Sequence, residues 1–229
     1  MQVIDFKKIK ELREKKDLSQ AEVAAFVGLS RPTYALVELG KSDLSVEQFL
    51  QLATYLKVRP EDLIPELNAT TQEKLATFKQ LILNSIQYGS DKVDHKITKT
   101  KLAKLVYLAD FTWFYRNGVS ISGLMYRSIQ RGPVADDFFR VIDELFEDQA
   151  IAIEPNGTAM LISSREPASH DRLSTAQVSL IKEIGERWRS KNTAEIVEFT
   201  HKQTPWRLSI PGGLISYKTI LEEDKNNLF

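Results

Sequence analysis

Apolar residues recur at helical spacing through most of this chain, and the polar residues between them mark where each helix starts and stops. Phe6, Ile9 and Leu12 give a first helix one apolar face, with Arg13 beside it. Ser19, with Glu22 three residues on, forms a capping box for a second helix. Gly28 ends that helix by supplying the left-handed conformation a side chain resists. Ser30 caps a third helix, read with Arg31, Thr33, Tyr34 and Val37 outward and Leu36 and Leu39 inward. The small Ala21, Ala24 and Ala25 let it cross the second closely. Ser45 and Gln48 cap a fourth, whose buried face is Phe49, Leu50, Leu52, Ala53 and Leu56, and Pro60 opens a short fifth.

Pro65 to Thr71 combines a helix breaker with small polar residues and marks a boundary. The expected organisation is a domain over residues 1–66, a linker over 67–74 and a second domain over 75–229. Thr70 and Glu73 form a capping box for a helix to about Gln87. Residues 98–116 carry the strongest helical pattern, with Leu102, Leu105, Val106, Leu108, Ala109, Trp113 and Phe114 inward and Gly118 at the end. Met125 to Gln130 reads as a short strand closed by Arg131-Gly132-Pro133, followed by a helix from Val134 to Asp148. Asn156-Gly157 is a hairpin turn between two alternating segments. Further helices follow at 175–190, capped by Ser174, at 194–202, capped by Asn192 with Glu195, and at 216–224. The fold class is mainly α: a five-helix head, then an α-rich α+β domain with a small β-hairpin or sheet.

Composition narrows the function. At 42% hydrophobic and 27% charged the chain resembles an ordinary globular protein. No apolar run approaches the ~20 residues that span a bilayer, and the first residues lack the apolar core of a secretory signal. The absence of cysteine excludes disulfides and thiolate metal sites. A cytoplasmic location without membrane contact is expected. Basic and acidic residues are balanced at 31 each. Residues 1–66 hold 10 Lys/Arg against 11 Asp/Glu, leaving 21 against 20 in the remainder. Affinity for nucleic acid therefore depends on locally placed charge, on helix N-termini and on association of two heads.

The run S-R-P-T-Y-A-L-V-E-L-G-K-S (30–42), preceded by a capped helix and a glycine turn, is the helix-turn-helix spacing. Over residues 5–66 the chain resembles the Xre/Cro-like family of phage and bacterial repressors. Ser30, Arg31, Thr33 and Tyr34 are the expected residues at the DNA groove, with Gln20, Lys41 and Ser42 expected to hold phosphates. The partner implied is double-stranded operator DNA, bound by a homodimer or higher assembly.

In the second half, K-L-A-K-L-V-Y-L-A-D-F (101–111), G-V-S-I-S-G-L-M-Y (118–126), R-G-P-V (131–134) and T-H-K-Q-T-P-W (200–206) occur in order. Together they resemble the Panacea domain, the antitoxin module also described as SocA-like, over about residues 75–221. That resemblance implies a protein toxin encoded nearby and neutralised by direct contact, with the head repressing the operon. Tyr126, Arg127, Arg131 and Asp136 are the candidate toxin-binding residues: the tyrosine and the arginines are of types frequent at interface hot spots, and Asp136 lies in the rigid turn beside them. Tyr126 reads equally as half-buried strand packing. A plain regulator whose second domain dimerises or senses a ligand, and a proteolysis adaptor for the toxin, are the alternatives. Asp110, on an apolar helix, needs a partner if buried: a helix end to cap or an arginine of the 126–133 turn. His95, His170 and His201 lie apart and without metal-site spacing, and neither a phosphate loop nor a G-x-S-x-G motif is present. No enzyme activity, metal or cofactor is expected.

Overall fold

Two separate apolar cores organise the computed structural model, which describes residues 4–58, 60–64 and 71–229. They belong to two compact units, Met1–Thr70 and Thr71–Phe229. The fold is mainly α in both, with small antiparallel sheets in the second.

The first unit contains α1 (Phe6–Lys15), α2 (Gln20–Phe26), α3 (Arg31–Glu38), α4 (Val46–Tyr55) and a 3-10 turn at Pro60–Leu63. Helices of seven to ten residues are marginal alone, so their caps matter. Asp5 accepts from the Lys8 N–H, and both capping boxes, Ser19/Glu22 and Ser45/Gln48, are complete. Each is worth about 1 kcal/mol. Gly28 takes φ +69° between α2 and α3, as the turn requires. The Asp5 N–H donates to the Leu63 carbonyl at 2.9 Å, which brings the two ends of the bundle together. Ile9, Val23, Tyr34, Val37, Leu52 and Leu56 fill the core.

The phase expected for α3 is corrected by this packing. Tyr34 and Val37 are fully buried, whereas Leu36 and Leu39 are 44% and 65% exposed. With apolar residues on several sides of an eight-residue helix, pattern alone did not choose the inner face. The core did.

The second unit is built around α6 (Lys99–Asn117), buried on every side from Lys101 to Thr112. Before it come α5 (Thr71–Gly89) and β1 (Ile97–Thr98). Residues 71–74, expected in the linker, form the first turn of α5; the Thr70 cap lies outside the described residues. Gly118 ends α6 at φ +73°. Then follow β2 (Tyr126–Ile129), β3 (Gly132–Ala135), α7 (Phe138–Glu147), β4 (Ile151–Asn156), β5 (Ala159–Ser164), α8 (Thr175–Arg189), α9 (Thr193–Lys202), α10 (Thr204–Arg207) and β6 (Leu214–Ile215). Two sheets result, ordered β1-β5-β4 and β3-β2-β6, antiparallel throughout. At Gly185 of α8 an added Cβ would lie 2.8 Å from the backbone of Tyr88, so α8 and α5 touch there backbone to helix.

Two expectations fail here for local reasons. Residues 132–135 are strand rather than the start of a helix, pairing Ser128 with Pro133 and Arg127 with Val134. Pro133 fits because β3 is an edge strand, where a missing N–H costs no ladder bond. The helix expected at 216–224 is a 3-10 turn over Tyr217–Glu222.

Candidate functional site

In the first unit, α3 is held by a buried charge network. Arg13 donates from Nε to Glu38 Oε1 at 2.6 Å and from Nη2 to Oε2 at 3.2 Å, and from Nη1 to the Leu18 carbonyl at 2.9 Å. Gln20 Nε2 donates to Glu38 Oε2 at 2.9 Å. One carboxylate therefore ties α1, α2 and α3 together. Burial alone would raise the Glu38 carboxyl, but the bonds from Arg13 and Gln20 outweigh it and hold it below the ordinary range. Its side chain is only 2% exposed. Nothing in local pattern revealed this pair, because its members stand 25 residues apart.

Around that frame the expected DNA-contact residues separate. Ser30, Arg31 and Lys41 are exposed, while Ser42 and Thr33 are half-buried. Ser30 Oγ accepts from the Thr33 N–H and lies 2.8 Å from its hydroxyl, fixing the start of α3. Gln20 has committed one amide N–H to Glu38 and keeps a second. Tyr34 cannot reach a groove: it is buried, and burial first, then nearby Glu38, push its hydroxyl pKa up.

In the second unit the corresponding hub is Asp110. Its Oδ1 accepts from the N–H groups of Ile121 at 2.6 Å and Ser122 at 3.1 Å. Its Oδ2 accepts from Ser122 Oγ, from the Tyr126 hydroxyl at 3.0 Å and from the Tyr217 hydroxyl at 2.9 Å. The partners are thus hydroxyls and backbone rather than an arginine. Complete burial raises the Asp110 carboxyl, against the pull of these donors. Phe111 stacks on Tyr217 at 4.5 Å and meets Tyr126 edge-on at 5.2 Å, so α6, β2 and the 217–222 turn share one polar and aromatic joint.

Of the two readings of Tyr126, strand packing holds and toxin contact does not. The residue is 0% exposed, with its hydroxyl spent on Asp110. Strand alternation turns its neighbour outward instead. Arg127 Nε pairs with Asp136 Oδ1 at 2.8 Å, and Arg131 stands exposed at the β2–β3 turn. Met125 and Leu214, 59% and 54% exposed, adjoin them, with Leu214 directly opposite Arg127 in the β2–β6 pair.

Lys104 is the remaining unusual group. It is 1% exposed, and its ammonium donates to the Pro133 carbonyl at 2.7 Å. Burial pushes its pKa down to about 7. His201, lowered by burial and by Lys104, stacks on Trp206 at 4.3 Å. Trp206 is half-buried there.

The first unit joins two capped helices at a glycine turn, the second is a domain centred on a buried helix, and comparison with known families places both parts. Residues 9–63 match the helix-turn-helix family model. Residues 102–207 match the model described as antitoxin SocA-like, Panacea domain. The chain therefore joins an N-terminal helix-turn-helix domain to a Panacea domain. No curated protein and no solved structure matches it. Among the described residues, no helix is long and apolar enough to cross a membrane.

Proposed function

We propose that this protein is an antitoxin that neutralises a cognate protein toxin by direct binding and represses its own operon through the helix-turn-helix. The observation that carries this reading is the presence of both family matches in one chain, at 9–63 and 102–207. Neutralisation proceeds by covering the toxin's active site or substrate entrance, without chemistry performed by this chain. The contact surface assigned to the toxin is the outer face of the β3-β2-β6 sheet, with Arg127, Arg131 and Asp136 flanked by exposed Met125 and Leu214. Arginine beside apolar area is the composition of interface hot spots.

On DNA, Arg31 and Thr33 read base edges from the N-terminal turn of α3. Gln20, through its second amide N–H, Lys41 and Ser42 hold phosphates, and Ser30 orients the helix end. The first domain has no net positive charge, so two heads acting together on an inverted repeat provide useful affinity. Co-expression with the product of the adjacent gene tests the toxin half, and a gel-shift titration on the upstream region tests the DNA half. Growth arrest that the full-length protein fails to relieve would remove the antitoxin assignment.

A further inference from the structure

We propose that a cavity of about 400 Å³ in the second unit is a binding site for a small organic anion with an apolar body. Its walls come from the first turns of α6, the β2–β3 turn, the start of α7 and the β4–β5 turn. The volume falls within the range of pockets that bind small molecules. What it holds follows from charge. Lys99, Lys104 and Arg131 line it, and none of the lining residues is acidic.

Lys104 gives the strongest indication. An ammonium has three donors, and the hydrogen bond this one makes is to a backbone carbonyl, with no carboxylate paired to it. Keeping a cation buried without a counter-ion is costly, and an apolar side chain on this face of α6 would avoid that cost. The β2–β3 turn also presses on it: a Cβ at Gly132, where φ is +97°, would lie 2.9 Å from Lys104 Cε and 3.1 Å from Nζ. Lys104 also lines the cavity. The positive end of the 19-residue α6 opens at the same wall, through Thr98, Lys99 and Thr100.

The apolar body is indicated by the mouth. Phe139 and Met160 remain 48% and 44% exposed beside a floor of Ile129, Val134 and Phe138. Lys99 Nζ sits 5.2 Å above the Phe139 ring, so positive charge and an aromatic face adjoin. An acidic head beside Lys104 and Arg131, with an apolar or aromatic body over Phe139 and Met160, satisfies both features. This site does not depend on the toxin reading, and its test needs no toxin.

At about pH 6, where Lys104 carries its proton, full-length protein is titrated with 1-anilinonaphthalene-8-sulfonate, an aromatic sulfonate, and with N-phenyl-1-naphthylamine, its uncharged counterpart. The site predicts saturable one-to-one binding of the sulfonate, weakened about tenfold or more by Arg131→Gln and by Lys104→Met. The uncharged compound binds at least about tenfold more weakly, and neither variant changes its binding. Arg131 is exposed, so if Lys104→Met fails to fold by circular dichroism, Arg131→Gln with Lys99→Gln carries the test. Non-saturable binding, sulfonate binding unchanged in the folded variants, or equal binding of the uncharged compound would each overturn the proposal.

Discussion

Arg13 and Glu38, 25 residues apart in the chain, form a buried two-point ion pair that locks the helix before the helix-turn-helix to the end of α3. A lone charge left in that place is expensive. Replacing Arg13 by Met or Glu38 by Leu alone should destabilise the first domain by about 3–5 kcal/mol, whereas the double replacement should recover most of the loss. Urea denaturation of the four proteins forms the cycle. The pair also sets a pH dependence. The folded Glu38 carboxyl lies below its unfolded value, so its stabilisation is present above the ordinary carboxylate range and is lost as pH falls through the folded pKa. In the double variant that acid-side loss should disappear.

Base reading and phosphate contact should separate in DNA titrations. Arg31→Ala should cost roughly 1–3 kcal/mol on the preferred site and relax sequence preference, if the arginine contacts a guanine. Lys41→Ala should weaken all DNA alike and reduce the salt slope. Tyr34→Phe should leave sequence preference unchanged, because that side chain is enclosed in the core. A loss of preference with Tyr34→Phe would contradict the α3 phase described above.

The Asp110 joint predicts that Tyr126 acts inside the fold. Tyr126→Phe removes a hydroxyl donor 3.0 Å from Asp110 and should lower stability by about 1 kcal/mol while leaving partner binding intact. Thermal denaturation beside a pull-down with the co-expressed toxin separates the two effects.

Lys104 should reveal itself by pH. It releases its proton near pH 7 in the folded protein, whereas the unfolded chain holds it to about 10.5. Between those values the unfolded state binds one more proton, so the Lys104 contribution makes stability rise with pH. Lys104→Met removes that slope. The variant should gain most over the wild type below about pH 7, and the gap should close toward about pH 10. Denaturant midpoints across this range provide the comparison.

Features carried by neighbours along the chain are legible in the sequence itself. The capping residues Ser19, Ser45, Ser174 and Asn192, the glycine at 118 and the β4–β5 hairpin, which turns at Gly157-Thr158, one residue beyond the expected Asn156-Gly157, all act within a few residues of themselves. What depends on distant parts of the chain is not. Tyr34 and Leu36 exchange faces because the core around α1, α2 and α4 decides which side of a short helix is covered. Val134 is strand because β2 stands beside it, although Gly-Pro reads equally as a turn opening a helix. Asp110 is recognisable as needing a partner, but Tyr217, which supplies one donor, lies 107 residues away. Of the candidate toxin-contact residues, Arg127, Arg131 and Asp136 project from the hairpin and Tyr126 does not. The cavity at Lys104 joins four segments of the second unit, and no local pattern encodes it.

Two tasks fall to two domains in the function proposed above: the Panacea domain binds and silences a toxin, and the helix-turn-helix serves the promoter. Because the second unit has its own core, a fragment beginning at Thr71 separates the two when co-expressed with the toxin from the adjacent gene. The measurement is growth rescue by the full-length protein, by the fragment, and by the fragment carrying Arg127→Glu and Arg131→Glu. Rescue is expected from the first two and not from the third, with promoter repression lost in both fragments. Failure of the full-length protein and of a folded fragment to restore growth would contradict the antitoxin function.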